Sequence, residues 1–193
     1  MGLIIALALL ILALRWPTLR YPDFWTFALF LALGLAAEFL TLELPNGAWI
    51  VYGMVVAVPA AVLFTPLAGA VIGTLAALLQ RLVRIARRKY PFPLQVIPFS
   101  LAQRLIGYTL AGEVYHALLP SPAASLWPAL GAYLLALLVF KAVNAILVDQ
   151  VYNRLSGYYS RERFITTLTT ETAIHLLATP LGLLMILTYP TYG

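Results

Sequence analysis

The chain has 193 residues, 63% hydrophobic and only 10% charged, with mean hydropathy +0.93, 12 Lys and Arg against 7 Asp and Glu, and no cysteine. A soluble domain carries about a quarter charged residues, so this chain reads as a bilayer protein. The missing cysteines exclude a disulfide framework, a thiolate metal site and a cysteine nucleophile, and the net charge of +5 is assigned to a cytoplasmic membrane face rather than to nucleic acid.

A transmembrane helix needs about 20 apolar residues. Residues 2–15 are the first and shortest candidate. No Lys or Arg precedes them and Arg15-Trp16 follows, which argues for a short first span over a cleaved signal peptide; a retained signal anchor or an interfacial segment are the alternatives. Residues 24–42 predict the second span, 48–64 the third and 66–86 the fourth. Pro66 suits the first turn of a helix, where its missing N–H costs nothing. Gly69 and Gly73 form a G-x-x-x-G that lets helices approach closely, read as packing within the chain rather than dimerisation. Residues 94–119, opening after Pro91 and Pro93, predict the fifth span, 126–150 the sixth, with Ser125 as N-cap, and 164–189 the seventh. Pro98 and Pro180 fall inside spans and predict kinks or a broken turn. The expectation is one all-α, polytopic transmembrane bundle of six to seven helices, a single integral membrane domain over 1–193.

Loop charges orient it. With the N-terminus inside, Arg81, Arg84, Arg87, Arg88, Lys89, Arg154, Arg161 and Arg163 face the cytoplasm, and Arg15 and Arg20 lie outside. The positive-inside rule selects that arrangement, which places the chain in a bacterial inner membrane. The basic run 81–89 is then a topology signal that also touches anionic headgroups of membrane lipids. Seven spans leave Gly193 outside, so a cytoplasmic partner domain requires one further span.

Ionisable groups inside spans are expensive and therefore informative. Glu38, Arg104, Lys141, Asn144, Glu171 and His175 are the candidate ligand-binding set. Arg104 and His175 are expected near mid-membrane, and Glu38, Lys141, Asn144 and Glu171 in the cytoplasmic half. Glu171 and His175 are four apart and share a helix face. The threonines at 166, 167, 169, 170 and 172 suggest that this face turns inward. A structural ion-pair network is the preferred reading of the set, and a pocket for a small anionic or polar ligand the next. Glu113-Val-Tyr-His116 has the spacing of di-iron bundles, but no second copy stands at its depth, so both residues are expected to be wetted near the outer headgroups. No nucleophile elbow and no glycine-rich phosphate loop is present. No catalytic residue, metal or cofactor is expected.

Residues 43–84, ELPNGAWIVYGMVVAVPAAVLFTPLAGAVIGTLAALLQRLVR, with FKAVNAILVDQVYNRL from Phe140 and HLLATPLGLLMILTY from His175, resemble the N-terminal multi-spanning sensor modules of bacterial HD-GYP and GGDEF signalling proteins. The likeness covers about residues 30–190. It puts Pro66, Phe140, Asn144 and Pro180 at recurring positions. Lys141 beside the Phe, and the missing Gly-Asp step before the arginines, depart from the pattern. Such modules are also similar to the S components of energy-coupling factor transporters, which implies a small-molecule pocket. No HD, GYP or GGDEF motif is present, so no cyclic-dinucleotide chemistry is implied. The functional expectation is a non-enzymatic sensor or small-ligand-binding module relaying ligand state to a cytoplasmic signalling domain or partner membrane subunit. The alternatives are a substrate-binding subunit of a small-solute transporter and a structural or assembly subunit of a membrane complex.

Overall fold

The computed structural model describes residues 1–43, 49–88, 94–119, 126–155 and 161–192. Seven helices dominate: α1 Gly2–Arg15, α2 Phe24–Phe39, α3 Met54–Leu63, α4 Pro66–Ala86, α5 Val96–Leu118, α6 Leu126–Leu155 and α7 Arg161–Tyr192. The expected all-α bundle is therefore the observed fold. A short antiparallel hairpin interrupts it, with β1 Thr41–Glu43 paired to β2 Trp49–Val51 in the register Thr41 to Val51 and Glu43 to Trp49.

Local chemistry sets most boundaries. Trp16-Pro17-Thr18 forms a single 3-10 turn after α1. Asp23 caps α2 by accepting from the amides of Trp25 at 3.0 Å and Thr26 at 3.1 Å. Bonds from the side chain and amide of Thr26, and from the Trp25 amide, hold its carboxyl below the usual carboxylate range. Thr65 caps α4 through a 3.2 Å bond from the Ala68 amide, with Pro66 just inside. α4 ends where Arg88 takes φ 52°, the left-handed turn that stops a helix. Pro98 stands in the first turn of α5, where its amide has no intrahelical partner to lose. α7 runs unbroken through Pro180, so neither proline breaks a turn. The proline that does sit inside a short helix is Pro59 of α3. Ser125, Pro91 and Pro93 lie outside the described residues.

Two expected spans are shorter than their apolar runs. The stretch 24–42 ends as helix at Phe39, and 48–64 opens as β2 and becomes helix only at Met54. At about 1.5 Å per residue, the 10 residues of α3 cover only about 15 Å. The reason is a buried carboxylate, described below, at which α2 stops and α3 begins. α4, α6 and α7 each contain a stretch long and apolar enough to cross a membrane, over Pro66–Ala86, Leu126–Val148 and Leu168–Tyr189.

Residue contacts give the helix directions. Gly69 lies against Ala60 and Ala61 while Gly73 meets Ala57, so α3 and α4 are antiparallel. Gly112 meets Pro66 and Ser100 bonds Arg81, which reverses α5. Gly107 packs on Phe140 and Gln103 bonds Asn144, which reverses α6. Gly182 meets Tyr133 while His175 shares a groove with Lys141, which reverses α7. The bundle alternates throughout. The arginine-bearing end of α4, the C-terminal end of α6 and the N-terminal end of α7 therefore share one end, and Arg15 pairs with Glu113 at the other.

The centre is built from small residues. Ala57, Ala60 and Ala61 of α3 and Ala68, Ala70 and Ala77 of α4 are at most 1% exposed. Without a β-carbon at Gly69 its backbone meets that of Ala60 and Ala61, and without one at Gly73 there is room for the side chains of Ala57 and Tyr108. The outer surface is apolar as well: Leu3 is 83% exposed, Trp25 78% and Leu177 81%. Such a surface suits lipid and not water.

Two predictions follow from this packing and alternation. Gly69→Ala drives a β-carbon into the Ala61 backbone and is expected to cost about 1–3 kcal/mol, whereas Gly131→Ala, with nothing within 4 Å, stays near the parent; thermal unfolding in one detergent compares them. Since the chain holds no cysteine, single Arg87→Cys and Arg161→Cys variants report sidedness cleanly. An impermeant maleimide should label both from one face and Asp23→Cys from the other; labelling of the two arginine positions from opposite faces would sink the alternation.

Candidate functional site

The apolar interior contains one polar layer, about two-thirds of the way along α4 toward its arginine-rich end. Glu38, at the end of α2, is 1% exposed. Its carboxylate accepts from Arg104 of α5 as an ion pair, and its backbone carbonyl accepts from Gln80 Nε2 of α4 at 3.1 Å. Gly53, at the start of α3, lies so close to that carboxylate that any side chain there would overlap it. Three helices and one turn thus enclose a single charge. Isolated, it would be prohibitive to bury; paired and hydrogen-bonded, it is tolerated.

Polar contacts spread from this point. The Tyr108 ring, one turn along α5 from Arg104, stacks on Phe140 of α6 with centroids 4.6 Å apart and planes at 2°. One turn away, Arg81 donates to Ser100 Oγ at 2.6 Å. Gln103, beside Arg104 in sequence, donates to Asn144 Oδ1 of α6. On the far side of Gly53, the Tyr52 ring meets the His175 ring edge-on at 6.4 Å, and His175 is itself 7% exposed. A groove between α6 and α7, floored by Met54, holds Lys141, Thr172 and His175 among leucines.

The structure therefore brings together most of the residues singled out by sequence. Glu38 touches Arg104, Asn144 joins the same layer through Gln103, and Lys141 and His175 line one groove. The Glu171 side chain lies outside the described residues. On the expected inward face of α7, His175 is buried and Thr172 lines the groove, while Thr170 is half-buried and the side chains of Thr166, Thr167 and Glu171 lie outside the described residues. Thr169 is exposed, and Thr169, Thr172 and Thr179 each spend their hydroxyl on the carbonyl four residues back, which is how threonine is accommodated in lipid.

Gln80, Arg81, Ser100, Tyr108 and the Tyr52-Gly53 turn were not foreseen as members of this layer. Arg81 had been grouped with the basic run, yet it is 9% exposed. A signal existed: Gly73, Ala76, Ala77, Gln80 and Arg81 continue one helical stripe of buried residues. Arg87 and Arg88, beyond it, are exposed as a topology signal requires. Glu113 and His116 take separate partners, Arg15 at 2.9 Å and the Ala61 carbonyl at 3.2 Å. Among the described residues no group of three or more His, Asp or Glu could hold a metal ion.

A family model, MASE9, matches residues 8–193. The chain belongs to the MASE9 family. MASE domains are multi-spanning, membrane-associated sensor modules, and the resemblance drawn from the hydrophobic pattern agrees with that membership. No curated protein matches the chain, and no solved structure does. For this MASE9 chain the helices and the lipid-suited surface mark a membrane protein, and the family is of the sensor type and not a catalytic one.

The pair at the centre of the layer is directly testable. Arg104→Met strands the Glu38 carboxylate and is expected to lower stability by about 3–5 kcal/mol. Adding Glu38→Gln removes the stranded charge and should restore much of that loss. A double variant whose loss equals the sum of the two singles, by thermal unfolding in detergent, would show that the side chains act independently.

Proposed function

We propose that this MASE9 domain is a non-enzymatic sensor of the bacterial inner membrane, with a cytoplasmic N-terminus. In this reading a small ligand enters among the helices beside the polar layer and changes how α7 packs. A cytoplasmic signalling domain or partner membrane subunit then reads that change. The observation that carries the reading is the asymmetry of α7. Among the described residues it leans chiefly on α3 and touches α6 more sparsely, and the buried polar side chains Lys141 and His175 stand at that α6–α7 seam. The rest of the bundle is locked by direct backbone contacts and by the Glu38–Arg104 pair. A ligand can shift an equilibrium only through differential contacts with two states, and the seam is where the described structure offers such contacts. Its enclosed space is about 10 Å³, so an organic ligand entering it must part α6 from α7.

The seam should therefore have two separations. Spin labels on Gly131→Cys and Leu184→Cys, both at exposed positions, are expected to report two α6–α7 distances in nanodiscs, with populations that shift on Lys141→Gln. A single narrow distance, unchanged by that substitution, would overturn the sensor mechanism.

A further inference from the structure

Where α3, α6 and α7 converge, one glycine stands between a hydroxyl and a carbonyl that each lack their usual partner. Tyr133 of α6 is 1% exposed. A buried phenol hydroxyl normally finds an acceptor, yet among the described residues Tyr133 makes no hydrogen bond. Its hydroxyl end packs instead on Gly182 of α7, where a β-carbon would overlap it. The same β-carbon would stand 3.1 Å from Cγ of Pro59 in α3, so the hydroxyl and the Pro59 ring flank one notch. The buried residues of α7, among those described, are His175, Thr179, Gly182 and Ile186. Of these only Gly182 has no side chain, so the notch is the one place on that stripe that admits the end of an aromatic ring.

Pro59 supplies the acceptor. It lies inside α3 and is fully buried, and a proline has no amide proton to give the carbonyl four residues back. That carbonyl belongs to Val55, and in a helix it points at the Pro59 ring, which faces the notch. The described packing thus satisfies shape and leaves hydrogen bonding unmet. Tyr133 also shares its stripe of α6 with Leu137 and Lys141, four and eight residues on, and both of these line the α6–α7 groove.

We infer that Tyr133 is a two-position latch for α7. In one position its ring end fills the Gly182 notch and clasps α7 to α6 and α3. In the other, reached when α6 and α7 part, the ring end leaves the notch and its hydroxyl donates to the Val55 carbonyl. The latch rests on the sensor reading and names the side chain that balances its two packings. The first packing gains close contact with α7. The second gains a hydrogen bond inside a low-dielectric bundle, where an unmade bond is costly.

The test repeats the Gly131→Cys and Leu184→Cys distance measurement on the full chain in nanodiscs, with latch variants added. Tyr133→Phe keeps the ring and removes only the donor. The population of the wider separation should fall at least about five-fold, the effect of one hydrogen bond of ordinary net strength. Pro59→Ala returns an amide to the Val55 carbonyl, a change that favours the helix, and should produce the same fall by taking away the acceptor. Combined, the two should do no more than either alone, because they remove one and the same bond. Gly182→Ala should act the other way, driving the ring out of the notch and raising the wider population; if that variant fails to fold, the other two decide alone. Two separations whose populations ignore Tyr133→Phe and Pro59→Ala, or additive effects of these two substitutions, overturn the latch and leave the sensor reading standing. A single narrow distance in the parent overturns both.

Discussion

A carboxylate in the middle of an oily bundle cannot be left alone, and the arrangement around Glu38 follows from that. Arg104 neutralises it, Gln80 bonds the adjoining carbonyl, and Gly53 gives it room by having no side chain. These partners come from α5, α4 and the turn into α3, so one charge holds four chain segments in register. It also explains the two abbreviated helices. α2 ends just after Glu38 and α3 begins just after Gly53, with the β1–β2 hairpin joining them. Backbone that is neither helix nor closed sheet is tolerated at membrane depth only where protein covers it or where it lines a cavity, and a polar layer meets that requirement.

Around this anchor the protein divides into a tight part and a loose part. The tight part is α2 to α6, where glycines and alanines bring helices into contact and the stacked rings of Tyr108 and Phe140 fill space between α5 and α6. In lipid, no hydrophobic force drives helices together, so close packing and interhelical hydrogen bonds have to do it. Among the described residues α7 touches α6 more sparsely than α3, and it carries a large exposed leucine face. A sensor requires this combination: a frame that does not move and one element whose packing has alternatives. MASE9 membership makes the chain a membrane-associated sensor module.

The two halves are mechanically joined by a short stretch. Tyr52 touches His175, Gly53 touches Glu38, and Met54 floors the α6–α7 groove. Three consecutive residues thus contact the ion pair on one side and the groove on the other. In the sensor mechanism proposed above, this stretch is the element through which a change at the seam would reach Gly53, which packs directly on the Glu38 carboxylate. Coupling of this kind needs no long pathway, only a rigid turn between two sites.

Much of this architecture was legible in composition alone. Hydropathy and the scarcity of charge decided for a membrane bundle, and the clustering of arginines at 81–88 and 154–163 agreed with the observed alternation, because both clusters emerge at one end. Glu38, Arg104, Lys141, Asn144 and His175 stood out because ionisable and amide groups in apolar runs are costly and therefore rare. Three matters were decided only by tertiary structure. Hydropathy is blind to helix termination, so the apolar runs at 24–42 and 48–64 hid a hairpin and a ten-residue helix. Charge counting is blind to burial, so Arg81 was grouped with its exposed neighbours, although its side chain turns inward to Ser100. Pairing across helices is a three-dimensional fact: Glu38 and Arg104 are 66 positions apart, and only the way α2, α3 and α5 pack determines that they meet.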